Sequence, residues 1–228
     1  MEKDIRPKQR QSWQTHWLYN FARLPINLFF MIFYGVRFYG RNNMPTEGSV
    51  VVISNHQSHF DPPLIAAGLR RQLNFLARKS LFKFKPFAWL IDMLDAIPLE
   101  TNGIGFEGIK ESLKRLRGGE MLLVFPEGAR TWDGEIAPFM KGSLVLAQRS
   151  KSTILPMAIS GCHEAFPRGT KFPRLWGQIR VLYGKPIPYE EFKDLSEEEL
   201  RTLCETKVAE LFQIVRRCRS QQPETECR

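Results

Sequence analysis

His56 and Asp61 stand five residues apart in "NHQSHFD" (55–61), directly after the apolar run "SVVVIS". Neighbours on one helical face lie three or four residues apart, so this spacing does not suit a straight helix. It does suit a turn in which the carboxylate folds back onto the imidazole. A carboxylate that holds one ring nitrogen leaves the other as a general base, able to take the proton of an attacking hydroxyl with no enzyme nucleophile. The residue types also allow a plainer reading, with Asp61 capping a helix that begins at Pro62 and His56 a bonded loop histidine. A second polar cluster, "FPEGAR" (125–130), follows another apolar run, "MLLV". Arg130 carries a planar fork that binds phosphate through two parallel hydrogen bonds, and Gly128 permits close backbone approach. Glu127 is anionic, so beside Arg130 it is expected to position that arginine or a turn. Lys141, just beyond, is either a second positive charge near Arg130 or a solvated surface lysine.

Both clusters lie where strands hand over to helices, the place where open α/β sheets bind ligands. "VRFYG" and "SVVVIS" read as strands separated by the turn "RNNMPTEG". "DPPLIAAGLRR" reads as a helix, "LNFLAR" and "AIPL" as short strands, and "LFKFKPFAWLIDML" between them as helical. "GFEGIKESLKRLRGG" places Ile109, Leu113 and Leu116 on one helical face and stops at Gly118-Gly119. "EMLLVFPEG" is a strand entering a turn, "KGSLVLAQRS" a helix, and "TILPMAIS" and "GQIRVLYGKPI" are strands. Ser196 and Glu199 form a capping box for a last helix with Leu200, Leu203, Leu211 and Val215 inward. The alternation implies an α/β fold: a mostly parallel or mixed sheet flanked by helices, in a single domain.

The chain has 228 residues, 43% hydrophobic and 25% charged, with a net charge of +9. That suits a globular domain with a real core and anionic partners: nucleic acid, an acidic membrane or a phosphorylated substrate. No aromatic RNP strand or helix-turn-helix pattern supports nucleic acid. The four cysteines include no CxxC pair, so neither a disulfide framework nor a metal-ligand spacing follows. In the first forty residues aromatic and basic residues crowd together, with apolarity strongest from Leu24 to Val36. That run is short of the roughly 18–20 residues of a spanning helix. Trp13, Trp17, Phe29 and Phe33 suit an interfacial or re-entrant segment, and Pro25 is expected to kink it or divide it into two helices. The alternative is an amphipathic helix packed on the protein's own core. Residues 1–36 are thus set apart as a membrane-associating helical appendage, and 37–228 as the α/β domain.

"NHQSHFD" resembles the NHxxxxD motif of glycerolipid acyltransferases, the PlsC-like lysophosphatidate acyltransferase group. "FPEGAR" is similar to that family's FPEGTR block, and "TILPMAIS" to its later block around a proline, in the same order. "FMKGSLVLAQ" and "IRVLYGKPI" also resemble family segments, and "YGRNNMPTEG" is similar to the approach G-x-x-N-x-P-x-x-G. The resemblance spans about 36–187. It implies acyl transfer from acyl-CoA or acyl carrier protein to a free hydroxyl of lysophosphatidate, forming phosphatidate. The expected place is the cytoplasmic face of a membrane, and no metal or organic cofactor is expected because the sequence shows no ligand cluster. His56 would be the base, Asp61 its orienting partner, and Glu127, Gly128 and Arg130 the acceptor-phosphate block. His59 falls at a variable position, which marks it as structural or on the surface.

Two departures stand out. Ala129 replaces the threonine of the third block. In "AIPLETNG", Glu100 takes an acidic position and Thr101 the place of an arginine credited with acceptor binding. Arg78, Lys79 or Lys141 would have to compensate, or the acceptor is another lysolipid, glycerol-3-phosphate or an aminoacyl-lipid. A non-catalytic basic membrane-binding module is the reading from another class. The oligomeric state is not legible.

Overall fold

Five consecutive apolar or small residues, Val50–Ser54, form strand β2, and all five are buried. A strand covered on both faces reads as a continuous apolar run rather than an alternating one, which is what parallel sheets between helices require. The computed structural model describes residues 12–78, 97–99 and 106–220. Among them, the other strands are β1 (Arg37–Tyr39), β3 (Leu73–Arg78), β4 (Ile97–Leu99), β5 (Met121–Val124), β6 (Thr153–Ser160) and β7 (Arg180–Tyr183). The helices are α1 (Ser12–Tyr34), α2 (Asp61–Gly68), α3 (Phe106–Arg117), α4 (Val145–Ser150), the single turn α5 (Cys162–Ala165) and α6 (Glu197–Ser220).

The strands make one sheet in the order β1-β7-β6-β2-β5-β3-β4. β2 pairs in parallel with both β5 and β6, and β3 in parallel with β5 and β4. β7 runs antiparallel to β6, and β1 is parallel to β7, so the sheet is mixed. One core lies on the α1 and α2 side, built on Tyr34, Val50, Val52, Leu64, Leu155 and Tyr183. A second lies against α3, α4 and α6, built on Val51, Ile53, Leu116, Ile154, Leu200 and Val208. The alternate residues of β2 thus serve opposite cores, as the period of two demands.

The lead-in "GRNNMPTEG" is a turn fixed by packing. A Cβ on Gly40 (φ 69°) would come 2.4 Å from the carbonyl oxygen of Tyr183, which Asn43 Nδ2 also reaches at 3.0 Å. Only glycine fits that left-handed, tightly packed position. The capping box at the last helix is present: Ser196 N–H donates to Glu199 Oε2 at 2.8 Å, and Glu199 N–H to Ser196 Oγ at 3.3 Å.

Several expectations need correction. Pro25 does not divide the N-terminal segment; α1 runs through it unbroken from Ser12 to Tyr34. Packing holds it, since Arg23 Nη2 and Asn27 Nδ2, on either side of Pro25, both donate to the Ala67 carbonyl of α2. Asp61 does not cap α2: it is already the first helical residue, and its carboxylate turns back to amides that precede it. The helix in "KGSLVLAQRS" begins only at Val145. The inner face of α6 is Leu200, Cys204, Val208, Phe212 and Val215, and Leu203 lies to one side of it. Cys162 and Cys204 are free and buried, whereas Cys218 is disulfide-bonded. The helix expected in "LFKFKPFAWLIDML", together with Lys79 and Thr101, lies outside the described residues.

Candidate active site

The chain leaves β2 at Ser54 and enters α2 at Asp61, and the six residues between make the motif turn. Asn55 starts it. Its Nδ2 donates to the Ile159 carbonyl at 2.9 Å, and its Oδ1 accepts the Ile159 N–H at 2.8 Å. The side-chain amide thereby replaces the next backbone unit of the β2–β6 ladder while the main chain swings away. Asn55 has the right chemistry for this because a primary amide carries the same donor and acceptor as a peptide.

Asp61 is fully buried, and its Oδ2 gathers three donors. His56 Nδ1 lies 2.8 Å away, and the Gln57 and Ser58 amides donate at 2.6 and 2.7 Å. The two amides hold the carboxylate in the orientation that meets the imidazole. With Nδ1–H committed to a carboxylate, Nε2 is the nitrogen available to accept a proton. The ring keeps 17% of its surface exposed, enough for a substrate hydroxyl to reach it. Phe125 stacks on the opposite side of the problem, the ring plane: its centroid lies 3.9 Å from that of His56 at 13°. Carboxylate and phenyl ring together leave the imidazole little freedom about either χ angle.

The His56 backbone is clamped as well. Its N–H donates to Glu127 Oε1 at 2.7 Å, and its carbonyl accepts the Thr131 N–H at 2.9 Å. Glu127 Oε2 accepts the Ala137 N–H at 2.9 Å. Glu127 is therefore a bridge between the motif turn and the 125–137 loop. Burial pushes its carboxyl up to about 7, against the two amide donors that favour the anion. Gly128 sits in the left-handed region (φ 69°), and a Cβ there would meet Met140 Sδ at 2.1 Å.

His59 is drawn into the same electrostatic field. Burial is the first cause pushing its imidazole down to about 4, and the Arg130 charge and His56 push in the same direction. Arg130 follows Glu127 by three residues and precedes Thr131, whose N–H meets the His56 carbonyl, so its backbone runs beside the motif turn. Arg168 Nη1 donates to the Arg130 carbonyl at 2.7 Å, and the Arg168 guanidinium lies 4.1 Å above the Trp132 ring. Cys162 is buried near Asp61; burial first, and then the Asp61 charge, raise its thiol well above the usual range.

The structure brings together His56, Asp61, Glu127, Gly128 and Arg130. Lys141 is exposed, and its charge acts on Glu198 at the start of α6. Trp13 and Trp17 belong to the first turns of α1. Phe29 and Phe33, assigned to lipid from sequence, are half-buried against the core, Phe29 meeting the rings of Phe30, Tyr34 and Phe60. Among the described side chains of α1, the exposed apolar ones are Leu24, Leu28, Met31 and Ile32. Phe125, Thr131 and Arg168 were not foreseen. Phe125 opens the "FPEGAR" block, but no spacing signals that its ring would stack on a histidine some seventy residues earlier.

A family model named Acyltransferase matches residues 35–160, more than half of the chain and both polar clusters. The chain belongs to the acyltransferase family. It is 27% identical to the 1-acyl-sn-glycerol-3-phosphate acyltransferase of Bacillus subtilis, over 82% of this chain and 92% of that protein. A chloroplastic 1-acyl-sn-glycerol-3-phosphate acyltransferase of Brassica napus is also 27% identical, over 85% of this chain and 56% of that protein. Among solved structures, PlsC from Thermotoga maritima, a 1-acyl-sn-glycerophosphate acyltransferase, superposes with a TM-score of 0.76 at 27% identity. It covers 92% of this acyltransferase and 81% of its own chain. The order of strands and the mixed sheet are thus those of an acyltransferase fold.

Proposed function

We propose that this acyltransferase moves a fatty acyl group from an acyl thioester to the free hydroxyl of 1-acyl-sn-glycerol-3-phosphate, making phosphatidate. The observation that carries the reading is the 2.8 Å contact between His56 Nδ1 and a fully buried Asp61. His56 Nε2 takes the proton of the acceptor hydroxyl as its oxygen attacks the thioester carbonyl. Asp61 holds the ring in the tautomer that accepts at Nε2, and stabilises the imidazolium that forms. Collapse of the tetrahedral intermediate breaks the carbon–sulfur bond, and the imidazolium returns its proton to the departing thiolate. No covalent acyl-enzyme is needed, so His56 acts as a base rather than as a nucleophile.

Arg130 is the candidate for the acceptor's phosphate, being next to Thr131, whose amide meets the His56 carbonyl, and suited to bidentate binding. Arg168, held against the Arg130 carbonyl, adds a second positive charge to that side. Glu127 positions the base through its backbone rather than meeting substrate. The acceptor is a lipid, and the exposed apolar residues of α1 support attachment to a membrane surface. Among the described residues no helix is long and apolar enough to cross a membrane.

The test is an initial-rate assay of His56→Ala with lysophosphatidate as acceptor, and with acyl-CoA and acyl-carrier-protein donors in separate reactions. Loss of turnover with both donors is expected, and turnover near that of the wild type would remove His56 from the base role. Glycerol-3-phosphate and phosphate-free lysolipids as acceptors check the substrate, since wild-type preference for either would displace lysophosphatidate.

A further inference from the structure

The loop between α5 and β7 carries "GTKFPRLWGQ" (169–178), which neither the active site nor the sheet uses. Phe172 is 81% and Trp176 72% exposed, and Leu175 between them is also exposed. Large aromatic residues left so open on a fixed loop need a partner. Trp176 also has φ 69°, a left-handed conformation that is unfavourable for a bulky L residue. Its neighbours hold it there. Gly177 N–H donates to the Phe33 carbonyl at 3.1 Å and Ile179 N–H to the Tyr34 carbonyl at 3.0 Å, while Tyr34 Oη–H donates to the Arg174 carbonyl at 3.0 Å. The Trp176 ring lies 5.4 Å from that of Phe33. The loop is therefore tied to the C-terminal end of α1, the helix whose last turns also carry the exposed Leu28, Met31 and Ile32.

We infer that the 171–176 loop and the outer face of α1 form one surface that inserts into an anionic lipid bilayer. The exposed Lys171 and Arg174 alternate with the apolar side chains of the loop, the arrangement that suits the headgroup layer. The same charges disfavour pairing with a second copy of the chain, which would bring like charges together. The inference rests on the acyltransferase reading for its purpose, because the acceptor is itself a membrane lipid. The loop also runs back to the site. Phe166, at its base, packs 5.3 Å from Phe60, and its carbonyl accepts from Ser58 Oγ at 2.9 Å within the motif turn. The base of the loop is thereby fastened to the motif turn that carries His56.

The experiment compares the full-length protein with a Phe172→Ser/Trp176→Gly double variant, glycine being at ease at the positive φ. Partition is measured by co-sedimentation with phosphatidylglycerol vesicles and with phosphatidylcholine vesicles. Turnover is measured on a short-chain lysophosphatidate dissolved as monomers. The double variant is expected to bind phosphatidylglycerol vesicles about tenfold more weakly and to keep its rate on the dissolved acceptor. Equal partition of the two proteins overturns the inference. So does loss of the dissolved-acceptor rate, which would place the loop in the site instead. A concentration-dependent dimer in sedimentation velocity that the double variant dissolves would make the occupant a second copy. Failure of the wild type to turn over the dissolved acceptor would sink the acyltransferase reading and leave the partition result standing.

Discussion

At the scale of single residues, His56 is held from four directions: Asp61 at Nδ1, Phe125 on the ring face, Glu127 at its N–H and the Thr131 amide at its carbonyl. General-base catalysis of this kind contributes roughly 10²–10⁴ in rate. His56→Ala should lower kcat/KM by about that factor, Asp61→Asn should fall sharply too, and His59→Ala by less, all read from initial rates. Glu127 and His59 make a pH prediction with opposite signs. The native Glu127 keeps its proton up to about 7, against 4.5 for the ordinary carboxyl, so its contribution to stability is present below about 4.5 and lost as pH rises through about 7. The native His59 stays neutral down to about 4, against 6.5, so its contribution is present above about 6.5 and lost as pH falls through about 4. Between about 4.5 and 6.5 the two slopes oppose each other. Thermal melts across that window should show Glu127→Gln gaining stability with pH more steeply than the wild type, and His59→Asn losing it.

At the scale of elements, the active site depends on how β2 ends. Asn55 closes the ladder to β6 with its side chain, which frees the main chain to turn. Asn55→Ala leaves the Ile159 amide and carbonyl buried and unpaired. It should cost about 2–5 kcal/mol by chemical denaturation, and lower activity by loosening the turn. In the 125–137 loop, Gly128→Ala meets both a steric and a conformational penalty. The steric part is the Met140 thioether, a flexible and exposed side chain. Combining Gly128→Ala with Met140→Ala should therefore recover part of the loss, leaving about 1–2 kcal/mol for the positive φ. The helix α1 belongs to this scale too: Phe29, Phe30 and Tyr34 all pack on Phe60, one residue before Asp61. Its outer side is left exposed at Leu24, Leu28, Met31 and Ile32, while its inner side buttresses the motif turn.

At the scale of the whole molecule, a net charge of +9 and an exposed apolar strip point to one kind of surface. Attraction to anionic lipid is screened by salt, with a Debye length of about 10 Å at 0.1 M. Binding to phosphatidylglycerol vesicles should weaken as salt rises, and binding to phosphatidylcholine vesicles should respond far less, as co-sedimentation over a salt series will read.

The sequence by itself made most of the elements legible and put the pairing of His56 with Asp61 within reach, beside a capping role for Asp61 that the structure removes. Apolar runs and turn residues act locally, and a five-residue separation across a turn is short enough to imply contact. It also placed the capping box, which follows from neighbours in the chain, and an α/β sheet flanked by helices; that the sheet is mixed, with β7 antiparallel to β6, was decided by the strand order. Only the tertiary structure decided the function of Asn55, the stacking of Phe125, the bridging by Glu127 and the approach of Arg168 to Arg130. Those contacts join residues from about forty to over one hundred positions apart, and which side chains meet depends on strand order. The same holds for α1. Its composition suggested lipid for Phe29 and Phe33, but helical phase against α2 turned those rings inward and left Leu24, Leu28, Met31 and Ile32 outside. Aromatic rings suit a protein core and a lipid headgroup layer equally, and only packing partners choose between them.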